Sequence, residues 1–135
     1  MFIAGAFISS CKSSTEKVDE AKINVEDAKQ NLDKAKEDYT TQYNKFKTES
    51  DEMIAANEKS ISELKEHAKN MKHKEKQEYE NSIDVLEQKN EALKSKVKDY
   101  KNDGNEKWES FKKEFRHDMD ELGQSLKDLT KNNVK

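Results

Sequence analysis

The sequence predicts an all-α protein of long, coiled-coil-like helices ending in a C-terminal antiparallel helical hairpin, a three-helix arrangement. Three observations carry that prediction. The 135 residues include no proline and only three glycines, Gly5, Gly104 and Gly123, so little interrupts a helix. Charged residues make up 41% of the chain, and the straight-chain ones among them lose little rotamer freedom in a helix. Hydrophobic residues make up 31%, enough for narrow seams between helices and too few for a wide interior. Residues that favour strands are thin and do not alternate. The net charge is only -3 and the two signs are finely mixed, as on a solvated helix surface rather than in a disordered segment.

The first element is not a helix of the body. Met1 to Ser10 carries no charge and leads into Ile8-Ser9-Ser10-Cys11, which holds the only cysteine. About twenty residues are needed to cross a bilayer as a helix, so this run is too short, yet it matches the apolar core of a signal peptide. An aliphatic residue, two small residues and a cysteine after an apolar run resemble a bacterial lipoprotein signal. The resemblance implies that Cys11 receives a diacylglyceryl group and becomes the mature N-terminus. It also implies a basic segment ahead of the run; Phe2 follows Met1 directly, so the expected start lies upstream and residues 1–10 are a signal-peptide remnant. Residues 11–14 are then a lipidated tether. A single cysteine excludes an internal disulfide, and no Cys/His array suggests zinc.

Ser13 and Glu16 have capping-box spacing, which starts the body. From Lys12 to Asp103 there is neither glycine nor proline, permitting a rod on the order of 138 Å if unbroken. Val18, Val25, Leu32, Tyr39, Phe46 and Met53 recur every seven residues, with Ala21, Ala28 and Ala35 at the complementary position. This a/d pattern predicts a close-packed helical partner, by self-association or by hairpin pairing. The pattern slips after Phe46, where "KTESDE" has no apolar residue and Thr48 with Asp51 can restart a helix; a break is expected near residues 47–51. A second seam follows in Ile54, Ile61, Leu64, Ala68 and Met71. The polar stretch "KHKEKQE" reads as a register shift. A third run comprises Tyr79, Ile83, Leu86, Leu93, Val97 and Tyr100, with Asn90 at a seam position, where it either fixes register or sits at the solvent edge.

Residues 15–101 therefore form the long helical region. Asn102, Asp103, Gly104 and Asn105 form a strong turn signal, with Gly104 suited to ending one helix and Asn105 to capping the next. The amphipathic helix over 105–131 carries Trp108, Phe111, Phe115, Met119, Leu122, Leu126 and Leu129 on one face, a clasp expected to fold back on the preceding helix. "WESFKKEFRHDMDELGQSLKDL" resembles the ends of small Lys/Glu-rich helical proteins of the bacterial envelope and of stress-associated coiled-coil families, for which no reaction is implied. In composition alone the chain is similar to amphipathic apolipoprotein-like helices.

No catalytic, metal or cofactor site is expected. His67 and His73 are six residues apart and do not share a helical face as an i, i+4 metal pair does. Glu114 and His117 form one Glu-x-x-His unit, and a di-iron bundle needs two. His117 is expected to pair with Glu114 or Glu121 on the surface. A pI near 5.7 gives no basic footprint for nucleic acid, and no small-molecule substrate is indicated. The aromatic stripe is expected to be buried rather than laid on lipid, because acidic residues along its helix weaken attraction to anionic membranes.

The reading is a lipid-anchored lipoprotein of the bacterial envelope, periplasm-facing, serving as a structural spacer or interaction scaffold, in envelope stress among other settings. Its partners are a membrane, reached through Cys11, and a second copy or another envelope protein. A soluble cytoplasmic coiled-coil stress protein and a peripheral lipid-binding protein are the alternatives.

Overall fold

The structure, a computed structural model, describes residues 14–101 and 105–132. Three α-helices account for nearly all of them: α1 (Ser14–Ala68), α2 (His73–Asp99) and α3 (Asn105–Lys131). Among the described residues there is no strand. Cys11, Ser13, the run 1–10 and the turn residues 102–104 lie outside the described residues. The chain divides into two units, Met1–Tyr43 and Asn44–Lys135.

The second unit is an up-down-up bundle built from residues 44–68 of α1 with α2 and α3. α1 contributes Phe46, Ile54, Ile61, Leu64 and Ala68 to its interior. α2 contributes Tyr79, Ile83, Leu86, Leu93 and Val97, and α3 contributes Trp108, Phe115, Met119, Leu122 and Leu126. Spacings of three and four residues put each set on one stripe, and covering those stripes against each other is the main stabilising term. The helix ends follow the macrodipole: Lys65 and His67 lie in the last turn of α1, Glu75 in the first turn of α2, Lys96 and Lys98 in its last, and Glu106 in the first turn of α3.

The break expected near residues 47–51 is absent, because α1 runs through them. The polar side chains there satisfy themselves within the helix. The Thr48 hydroxyl donates to the Asn44 carbonyl at 3.0 Å and the buried Ser50 hydroxyl to the Phe46 carbonyl at 2.7 Å, while Lys47 pairs with Asp51 at 2.7 Å. The chain turns instead at residues 69–72, beside the second polar stretch. Lys69, Asn70 and Met71 donate to the carbonyls three residues back (3.2, 3.1 and 3.1 Å), tightening the helix end, and Lys72 is extended at φ -70°, ψ 151°. The hairpin of α2 and α3 is present as expected, and α3 spans residues 105–131.

The first unit holds residues 14–43 of α1. Nearly every side chain described there is exposed, the exceptions being half-buried Tyr39 and Tyr43, whose rings stack at a centroid distance of 6.3 Å.

Candidate functional site

Aromatic side chains gather at one end of the bundle, and the first unit carries an exposed seam. At the bundle end, Phe46 of α1 stands edge-on to Trp108, Phe111 and Phe115 of α3, with centroid distances of 5.1, 5.9 and 5.3 Å. Tyr100, just after α2, stacks on Phe111 at 4.1 Å. Edge-to-face and offset rings add to area burial, so the cluster ties all three helices together. Lys112 lies over the Trp108 ring at 5.0 Å and pairs with Glu109 at 2.6 Å. Within the clasp, Trp108, Phe115, Met119, Leu122 and Leu126 are buried, and Phe111 and Leu129 are half-buried. Most of the stripe is therefore covered by packing against the other helices.

In the middle of the bundle the sequence places a polar layer. Asn90 is 1% exposed; its amide donates to the Ile54 carbonyl at 3.2 Å, and its oxygen accepts from the Asn57 amide at 3.1 Å. The Asn57 nitrogen also lies 3.1 Å from the Met119 sulfur. Of the two positions open to Asn90, the seam interior is the one it takes. Asn57 was not singled out by the sequence pattern, although it fills the vacancy between Ile54 and Ile61. A buried amide satisfied at both ends favours one register over its neighbours.

Among the described residues, the outer edges carry three interhelical ion pairs: Lys65–Glu87 at 2.7 Å, Lys94–Glu58 at 2.8 Å and Lys96–Asp118 at 2.6 Å. The hydrogen bond from Lys96 holds the Asp118 carboxyl below its ordinary range against an opposing effect of partial burial, with His117 adding to the lowering. Lys94 is raised above its ordinary value, first by its hydrogen bond to Glu58, then by the Glu58 and Glu91 charges. These pairs are half-exposed, so each is worth little on its own.

His117, Asp118 and Glu121 bring ligand atoms within 4.8 Å of one another. His117 lies 3.7 Å from Asp118 and 3.8 Å from Glu121, the second of the two pairings expected for it. Asp118 is already neutralised by Lys96, and the trio is solvated, so the arrangement is that of surface ion pairing rather than a metal cage. His67 stacks edge-on against Tyr79 at 6.0 Å, a packing role at the end of α1.

The six seam residues separate. Phe46 is buried in the bundle and Tyr39 is half-buried, whereas Val18, Val25, Leu32 and Met53 are 51%, 67%, 54% and 40% exposed. Ala21, Ala28 and Ala35 are exposed as well. The first unit thus presents an uncovered a/d seam, and Ile23 stands exposed off it. No helix among the described residues is long and apolar enough to cross a membrane. Compared with known protein families, curated proteins and solved structures, the chain matches none.

Proposed function

We propose that the chain is a lipid-anchored lipoprotein of the bacterial envelope whose helical body works as an interaction scaffold or spacer. The observation that carries the proposal is the order of parts along the chain. A lone cysteine ends an apolar run, α1 begins three residues later at Ser14, and the first thirty residues of that helix leave a heptad seam uncovered. Two acyl chains on one cysteine give stable anchoring where one would be marginal. The closed bundle supplies stability, and the open seam supplies adhesion.

The burial of Trp108 and Phe115 favours this reading over peripheral lipid binding through α3, since that stripe reaches a bilayer only after the bundle opens. The test is the intact mass of the protein recovered from native membranes, expressed from its full upstream reading frame beside a Cys11→Ser control. A species beginning at Cys11 with a diacylglyceryl addition, absent from the control, is expected. An unmodified chain retaining Met1 to Ser10 would overturn the anchoring and leave a cytoplasmic coiled coil.

A further inference from the structure

The uncovered seam of the first unit is self-complementary in one orientation only, and we infer that it pairs antiparallel with the same segment of a second copy of this chain. This goes beyond the anchoring proposal and does not depend on it.

The argument starts from size. Large residues occupy the a positions (Val18, Val25, Leu32) and alanines the d positions (Ala21, Ala28, Ala35), all exposed. In a parallel pair, like faces like: Val25 meets Val25 and Ala28 meets Ala28, so wide layers alternate with narrow ones and the helices cannot close on both. In an antiparallel pair a faces d. Val18 then lies opposite Ala35, Val25 opposite Ala28 and Leu32 opposite Ala21, with the two-fold axis between Glu26 and Asp27. Every layer holds one large and one small residue. Six even layers result over residues 18–35, about 27 Å of helix at 1.5 Å per residue. Alanine in each layer lets the axes approach at the close end of the usual 8–10 Å range, roughly 8 Å.

Charge selects the same orientation. Flanking the seam on one side are Lys17, Asn24, Asn31 and Asp38; on the other are Lys22, Lys29 and Lys36. In the antiparallel register Lys17 faces Asp38 of the second copy and Asn24 faces Asn31, each twice by symmetry. Lys22 faces Lys29, also twice, but Lys22 already stands 3.9 Å from Asp19, and Glu26 and Asp33 lie one turn beyond Lys22 and Lys29 on the same helix. In the parallel register Lys17 faces Lys22, Asn24 and Asn31 face lysines, and no flanking pair is opposite in sign. Shape and charge therefore agree, and the two-fold makes the contact isologous and closed at two copies. With the helix starts at opposite ends of the paired segment, two anchors in one leaflet require that segment to lie along the membrane surface.

The test uses two full-length chains, both carrying Cys11→Ser, one with Val25→Cys and the other with Ala28→Cys. Both sites are exposed on α1, so neither substitution disturbs the bundle. The chains are mixed under mild oxidation and the disulfides read by mass. A disulfide needs Cβ atoms about 3.5–4.5 Å apart, which only facing positions reach. The antiparallel pair yields the mixed V25C/A28C species well above the statistical half. A preference for V25C/V25C and A28C/A28C would overturn the orientation. Sedimentation of the Cys11→Ser chain is expected to show a dimer that dissociates on dilution. Ala28→Asp is expected to weaken it at least tenfold while Trp108 emission stays unchanged. A monomer at all concentrations, or an assembly larger than two, would overturn the inference, and neither result bears on the mass test for the anchor.

Discussion

Replacing Asn90 in two ways separates its hydrogen bonds from its volume. The residue is 1% exposed and makes two amide contacts, to the Ile54 carbonyl and from Asn57. Each such bond is worth about 1 kcal/mol net. In Asn90→Leu both are lost, a cost of about 2 kcal/mol. The groups left behind are not stranded: the Ile54 carbonyl lies inside α1 and keeps its helical partner, and half-buried Asn57 keeps its contact to the Met119 sulfur and reaches water. Burying a leucine side chain, which has the same branched outline and number of heavy atoms, returns about 2 kcal/mol, and its better helix preference adds a few tenths. The N90L chain is therefore expected to match the wild type or exceed it by up to about 1 kcal/mol. Asn90→Ala loses the same bonds and leaves a hole, and is expected to cost about 2–3 kcal/mol. Urea unfolding followed by the emission of Trp108, the only tryptophan and 1% exposed, reads both. A loss in N90L equal to that in N90A would refute the reasoning, because it would show that the layer contributes stability no apolar packing can replace.

Other outcomes follow from the same contacts. Leu122→Ala, at a site with 0% exposure, is expected to cost about 3–4 kcal/mol in the urea assay. For pH, Asp118 titrates below its unfolded value, so its contribution is complete above that value and is lost as the pH falls through the native one; Lys94 is raised, so its contribution is complete below its unfolded value and is lost as the pH rises through the native one. Stability should therefore be flat with respect to these two groups between about pH 5 and pH 10, and Asp118→Asn should flatten the acid limb of a thermal-melting series. Hydrogen exchange of dilute, unpaired protein should show amides of residues 50–64 protected to the global unfolding free energy. Those of residues 18–40 should exchange far faster, because each added helical residue contributes at most about 0.3 kcal/mol.

The stripes were legible because burial in this bundle depends on three- and four-residue spacing. Tyr79, Ile83, Leu86, Leu93 and Val97 lie inside as the spacing requires, and so do Trp108, Phe115, Met119, Leu122 and Leu126 of the clasp. The turn was misplaced for a physical reason. A stretch such as "KTESDE" reads as a break when judged by its lack of apolar residues, yet Thr48 and Ser50 bond back to their own helix and Ser50 fills a seam position with a small polar side chain. The real reversal at residues 69–72 has neither glycine nor proline. It falls where the buried stripe of α1 ends at Ala68, with the stripe of α2 beginning at Tyr79, a limit set by distant partners rather than by local turn chemistry. Asn57 was missed because an amide at a seam position is visible only as a gap between Ile54 and Ile61, and its partner lies 33 residues away. Which seam residues stay exposed was not legible either: Val25 and Phe46 hold the same heptad position, and only the long-range fold covers one and leaves the other bare.

That difference within one heptad separates holding the fold from making contacts. The covered seam uses Phe46, Ile54, Ile61 and Leu64 against aromatic and aliphatic partners, with each large side chain worth about 1.5–3 kcal/mol on burial, and so it closes permanently. The bare seam uses valine and leucine opposite alanine, which buries less area per layer and gives a pairing that forms and separates with concentration. On the lipoprotein reading, confinement to a membrane raises the effective concentration of neighbouring copies without any new contact, so a seam too weak for dilute solution is matched to a surface. Exchanging its alanines for leucines would strengthen it and also remove the size alternation that selects the antiparallel partner. The small d residues are therefore what make the seam both reversible and specific.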